Sequence, residues 1–288
     1  MTEGNEATAG DRKPRSFVDR VGADLGTRFL WGLGMGLVAL AATLAGTLPF
    51  ALLVVCAALV LSWEWGRLVR GQEMDAGTGL HAIAVAAACA LAAFGYAGLG
   101  PPVLSIGAIL LLLLGLNRHG LLSAVGVFYA GLPAVGLIWL RSDPGYGLRA
   151  VLFTLAVVIA VDTSAYFAGR LIGGPKVAPA ISPGKTWAGL GGAVLGGAVV
   201  GALFALAFSF SPVRLGLIGG GLAVIAQAGD FAESALKRYY GAKDASALIP
   251  GHGGVMDRVD GIITVAMAVT IWAAMVDVNA PGRALLLG

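Results

Sequence analysis

The chain has 288 residues, 58% of them hydrophobic and only 12% charged, against about 25% charged residues in ordinary soluble domains. That balance excludes a water-soluble globule. The formal net charge of +3 comes without a basic face interleaved with aromatics, which excludes nucleic acid as a partner and leaves the lipid bilayer.

Residues 1–27 are polar and too poor in apolar side chains to fold alone, so they are expected to form a cytoplasmic tail. Nine apolar segments follow, at about 29–46, 48–63, 80–97, 102–117, 121–140, 148–168, 187–210, 214–236 and 261–278. Most approach the roughly 20 residues a helix needs to cross a hydrocarbon core of about 30 Å. The first has no clear small-residue cleavage site after it, so it is expected to stay as a span. The predicted fold is all-α: a polytopic membrane protein of about nine transmembrane helices with its N-terminus in the cytoplasm. Residues 28–147 are expected to form an N-terminal group of transmembrane helices and 148–288 a C-terminal transmembrane region, to which the motifs below assign the chemistry. In this orientation, only Arg141, Arg149, Arg214 and Arg283 of the 19 Lys and Arg residues fall on the outer side, the asymmetry expected of a plasma (inner) membrane protein.

Cys56 and Cys89 each fall inside an apolar segment and read as packing residues. The seventh segment carries Gly192, Gly196, Gly197 and Gly201 at small-xxx-small spacing, which suits close helix approach better than phosphate binding. Such glycine-rich spans are also compatible with a homodimer.

Charge inside a span costs about 2.5–3.5 kcal/mol, so each instance needs a partner or a task. Asp162 lies late in the sixth segment, and Asp230 and Glu233 late in the eighth. Asp162, Tyr166 and Arg170 are spaced i, i+4, i+8, as are Asp230, Ser234 and Arg238, while Glu233 and Lys237 are four apart, so polar ridges run down two helices into basic loops. The loop after the eighth segment holds Lys243 and Asp244, then Pro250, Gly251, His252, Gly253 and Gly254, whose backbone can turn sharply and offer amides to phosphate. Asp257 and Asp260, three apart at the start of the ninth segment, can face one point beside Arg258. HExxH, CxxC and nucleophile-elbow patterns are all missing, which disfavours zinc and serine-hydrolase chemistry. Hard carboxylates among cations suit Mg²⁺, held by Asp230 and Asp257 with a second cation compatible, and phosphate chemistry.

The run Ser234 to Asp260, SALKRYYGAKDASALIPGHGGVMDRVD, is similar to the signature of the CDP-diacylglycerol synthases, or phosphatidate cytidylyltransferases. The agreement covers Ser234, Lys237, Arg238, Lys243, Asp244, Pro250, His252, Gly253, Gly254, Asp257, Arg258 and Asp260. A second stretch, from Asp162 through AYFAGR to ISPGKTWAG, also resembles the family, including Ser182, Pro183, Lys185, Thr186 and Trp187. Ala188 and Gly261 depart from the usual pattern, and the first five segments match only in being hydrophobic.

The resemblance implies that the phosphate of phosphatidate attacks the α-phosphorus of CTP at a cytoplasmic site, giving CDP-diacylglycerol and pyrophosphate for phospholipid biosynthesis. Catalytic roles then fall to Asp230, Lys237, Arg238, Lys243, Asp244, His252, Asp257, Arg258 and Asp260. Substrate contacts fall to Asp162, Tyr166, Ser182, Lys185, Thr186, Ser234, Gly253 and Gly254. Two other activities are open at this point: a CTP-dependent lipid-alcohol kinase, which would release CDP, and a transporter using the intramembrane carboxylates.

Overall fold

The computed structural model describes residues 32–71, 74–114, 120–249 and 253–288; the polar tail expected over 1–27 lies outside them. The apolar runs become helices α1 (Gly32–Ala45), α2 (Thr47–Arg70), α3 (Ala76–Ala93), α4 (Gly100–Leu113), α5 (Gly120–Ser142), α6 (Gly147–Leu171), α7 (Trp187–Ala207), α8 (Pro212–Tyr239) and α9 (Met256–Val276), followed by a short α10 (Pro281–Leu287). The all-α polytopic class therefore holds. Seven of the described helices, α2, α3 and α5 to α9, are long and apolar enough to cross a membrane. The described part of α1 and the 14-residue α4 are shorter. A helix of that second length rises only about 21 Å, less than the hydrocarbon core, so among the described residues the nine expected segments correspond to apolar helices of unequal reach.

Two helix groups are joined by α9. Helices α2 to α5 pack on one another, α6 to α8 form the tightest group, and α9 lies against α8 on one side and α5 and α6 on the other. In the first group the Arg70 guanidinium, almost wholly buried, fastens three helices. It pairs with Asp75 at 2.9 Å and donates to Ser123 at 3.2 Å and Thr78 at 2.5 Å. Asp75 caps α3 by accepting from the Thr78 amide, which satisfies one of the orphan donors at a helix start.

The second group depends on glycine. A Cβ placed on Gly192 or Gly196 would run into Ser164 of α6, and one on Gly197 would sit 2.6 Å from the Gly219 carbonyl oxygen of α8. Gly219 in turn faces the Gly197 carbonyl, and Gly201 the Leu215 carbonyl. The approaches at Gly197, Gly201 and Gly219 are backbone-to-backbone, available only to small residues, and together these contacts assign Gly192, Gly196, Gly197 and Gly201 of α7 to packing. Gly219→Ala is accordingly expected to cost about 1–3 kcal/mol, the range for overpacking, because no side-chain rotation relieves a clash with a main-chain oxygen. Gly221→Ala, two residues on and facing open space, should be neutral or slightly stabilising, since Ala favours helix over Gly. Thermal unfolding of both variants in detergent measures the difference.

Among the described residues Cys56 and Cys89 are free. The departure from an all-helical chain is a small antiparallel hairpin between α6 and α7, β1 (Lys176–Ala178) with β2 (Ser182–Thr186), pairing Lys176 with Thr186 and Ala178 with Ser182. It carries the second stretch of interest back against α8.

Candidate active site

The last turns of α6 and α8, the hairpin strand β2 and the first turn of α9 converge at one end of the bundle. Asp230 is the meeting point. Its Oδ2 lies 2.5 Å from Lys185 Nζ, delivered by β2, and its Oδ1 accepts from Ser234 Oγ at 3.3 Å, one helical turn on. Lys185 also stands over the Phe231 ring at 4.2 Å from its centroid, so the ammonium is held by a carboxylate and an aromatic face together. Asp162 on α6 is within electrostatic reach of Asp230, Lys185 and Arg258. Asp260 on α9 feels Asp230, Glu233 and Asp162. Three helices thus aim carboxylates at one region, with Lys185 and Arg258 as the nearby cations.

A second cluster lies deeper. Lys237 Nζ donates to Glu233 Oε1 at 2.9 Å and to Asp257 Oδ1 at 2.6 Å. Asp257 Oδ2 accepts the Ala245 amide at 2.9 Å and the Gly254 amide at 2.8 Å, which ties the loop after α8 to the start of α9. Glu233 Oε2 accepts from Tyr129 Oη of α5 at 2.8 Å. The i, i+4 spacing of Glu233 and Lys237 puts them on one face, and the buried charges are paired, as low-dielectric surroundings require.

The structure therefore gathers Asp162, Lys185, Asp230, Ser234, Glu233, Lys237, Asp257, Arg258 and Asp260. Other expected residues sit differently. Arg238 points outward and donates to the Ala242 carbonyl at 3.3 Å, and Lys243 and Asp244 are exposed beside it. Tyr166 is also exposed and accepts from Arg170 at 3.0 Å. Ser182 sits on the hairpin opposite Ala178. Thr186, expected to touch substrate, is buried and uses its hydroxyl to cap α7 by accepting from the Gly189 amide at 3.0 Å. The Gly254 amide, expected to face phosphate, is spent on Asp257. The Gly253 carbonyl accepts from the Ile249 amide at 2.8 Å, and its φ of +81° explains the glycine. Pro250, Gly251 and His252 lie outside the described residues.

Asp257 was expected as a metal ligand beside Asp230. In this arrangement both its oxygens are engaged, one by an ammonium and the other by two amides, so it organises the loop. Among the described residues, no three His, Cys, Asp or Glu side chains form a cage for an ion. The donor set still suits Mg²⁺, which takes one or two carboxylates and completes its shell with water and substrate phosphate. Asp230 with the neighbouring Asp260 or Asp162 offers such a pair.

The sequence model of the Cytidylyltransferase family matches residues 26–276. The chain belongs to this family. It is similar to a phosphatidate cytidylyltransferase of Brucella suis, with 36% identity over 267 residues, covering 88% of this chain and 94% of the relative. A protein of the same name from Bacillus subtilis is 30% identical over 257 residues, 84% of this chain and 95% of the relative. One from Haemophilus influenzae is 41% identical over 144 residues, 47% of this chain and 49% of the relative.

Family membership thus reaches back through α2 to α5, where the motifs are silent and the resemblance is one of hydrophobicity alone. Two residues there touch the site. Tyr129 holds Glu233, and its ring packs on Trp65 at 4.8 Å between centroids. Glu64, buried at the end of α2, contacts the loop before α9. Their signal in the sequence is slight: a Glu one residue beyond an apolar run, and a Tyr within one.

Proposed function

We propose that this chain is a phosphatidate cytidylyltransferase. A phosphate oxygen of phosphatidate attacks the α-phosphorus of CTP. The bond from that phosphorus to the oxygen bridging the β-phosphate breaks, its electron pair leaves with pyrophosphate, and CDP-diacylglycerol forms. The observation that carries this reading is relatedness along nearly the whole chain to proteins of that name, with Ser234, Lys237, Asp257, Arg258 and Asp260 of the signature gathered near Asp230 and Lys185 in one charged region of an apolar bundle.

The geometry suits the chemistry. A phosphate monoester has a second pKa near 6 and is largely dianionic at pH 7, so the nucleophile needs little help from a base. The obstacle is repulsion between two polyanions, together with the need for in-line positioning. Lys185 and Arg258 stand where phosphate oxygens would meet Asp230. Exposed Arg238 and Lys243 are available to the nucleotide at the rim. Lys237 is enclosed by Glu233 and Asp257, and its contribution is to fix the Asp257 loop. Bound at Asp230 with Asp260 or Asp162, Mg²⁺ would supply charge neutralisation on the phosphates.

These groups lie at the helix ends that carry most of the Lys and Arg, so we place the site on the cytoplasmic face of the inner membrane, where CTP is available. A cysteine replacing Ala247, which is exposed, whereas Ala245 nearby is buried, should be labelled only from the cytoplasmic side of intact vesicles. Labelling from the opposite side alone would overturn that orientation.

The function is tested with detergent-purified protein, phosphatidate, Mg²⁺ and CTP labelled at the α-phosphate. The expected result is label in lipid with one pyrophosphate released per lipid formed, and loss of both with a chelator. Release of CDP with a newly phosphorylated lipid alcohol would instead establish the kinase.

A further inference from the structure

We propose that Glu64 is a positioning residue for this reaction, a buried carboxylate in the second span that caps α9 and fixes its first turn, which bears Asp257 and Arg258. The inference rests on the function proposed above. Helix α9 starts without a cap of its own, because the residue before it, Val255, has helical backbone angles and no capping side chain. The first amides of a helix have no partner within it and carry the positive end of its dipole. Glu64, 0% exposed, meets this need from far away in the chain. Its Oε1 accepts the Val255 amide at 2.9 Å and Ser246 Oγ at 2.6 Å, and its Oε2 accepts the Met256 amide at 2.6 Å.

The surroundings are shaped to this carboxylate. A Cβ on Gly254 would fall 2.8 Å from Glu64 Cδ and 2.8 Å from Ser246 Oγ, so the glycine leaves the space that Glu64 fills. Ser246, held by Glu64, accepts in turn from the Leu248 amide at 3.2 Å. On the other side of the same turn, Asp257 takes the Gly254 amide. Two carboxylates therefore share the three consecutive amides 254–256. One belongs to the site and the other comes from the N-terminal helices. Moving the second would reorient the first turn of α9, and with it Asp257, Arg258 and Asp260.

Glu64→Gln discriminates between positioning and mere support. The amide side chain keeps the shape, but in either orientation its NH₂ faces a backbone N–H, that of Met256 or that of Val255 together with the Ser246 hydroxyl, and the charge at the helix start is lost. Three readouts on the full-length protein apply: turnover per folded molecule, KM for CTP, and hydrogen–deuterium exchange of the peptide covering 253–258. Expected for Gln is a fall in kcat of at least tenfold with faster exchange in that peptide, and for Glu64→Asp, which keeps the charge, a kcat closer to the parent's. Lower yield of folded protein with unchanged kcat per folded molecule and unchanged exchange would overturn the proposal. If the parent chain itself formed no CDP-lipid, the function would fall, and the exchange result alone would decide whether Glu64 holds the loop.

Discussion

Asp230→Asn is expected to lower kcat about 10²–10³-fold, the size of effect seen when one pre-organised electrostatic contact is removed from an active site, while the protein stays folded. The carboxylate balances Lys185 at 2.5 Å and, in the proposed reaction, would offer charge to a cation, whereas Asn keeps only the oxygen that accepts from Ser234. Without it, Lys185 loses its counter-ion and is drawn toward Asp162, the other carboxylate within its field. Stability should change less than at a fully buried pair, because the Asp230 side chain is 32% exposed and solvent screens a partly exposed charge. Steady-state turnover with α-labelled CTP and a melting curve on the same sample separate the two effects. Turnover within threefold of the parent would remove Asp230 from the catalytic centre.

Lys237→Met should show the opposite balance, with a large loss of stability alongside the loss of activity. Lys237 is the cation between Glu233 and Asp257, whose side chains are 1% and 6% exposed. Met matches it roughly in length but leaves two buried carboxylates without compensation. Breaking a buried pair by deleting one partner costs about 3–5 kcal/mol. Adding Glu233→Gln should recover part of that stability, because Gln still accepts from Tyr129 and removes one stranded charge. Activity should stay low in the double variant, because Asp257 remains without the ammonium that orients it. Denaturant unfolding of the single and double variants in detergent measures the coupling. Equal stability of Lys237→Met and the parent would mean that the ion pair does not hold the loop.

Much of this site is legible in the sequence because helical spacing is a reliable ruler. Glu233 and Lys237, or Asp230 and Ser234, must share a face once the eighth apolar run is helical, and an intramembrane charge already demands a partner. Contacts across the fold are not legible in this way. Lys185 reaches Asp230 only because the polar stretch between α6 and α7 folds as a hairpin, and its short runs of Gly and Pro read as loop. Thr186 looks like a phosphate ligand until the start of α7 claims its hydroxyl. The contacts of Asp257 are hidden for the same reason. Its partners are two backbone amides and a lysine one helix away, and no residue pattern encodes which amides will be unpaired. Tyr129 sits within a long apolar run and Glu64 just beyond one, where bulk hydrophobicity masks a single polar contact.

The separation of 192 residues between Glu64 and the Met256 amide has a consequence for biogenesis. At a synthesis rate of 5–20 residues per second, the second span precedes its partner by roughly 10–40 s. During that interval the nascent chain holds a membrane-adjacent carboxylate without the amides that will enclose it, and a surrogate must solvate it, whether water, lipid headgroup or insertion machinery. Helix α9 both completes the enclosure and delivers Asp257 and Asp260. A chain stalled before that point has no assembled centre, so catalytic competence waits for the insertion of α9.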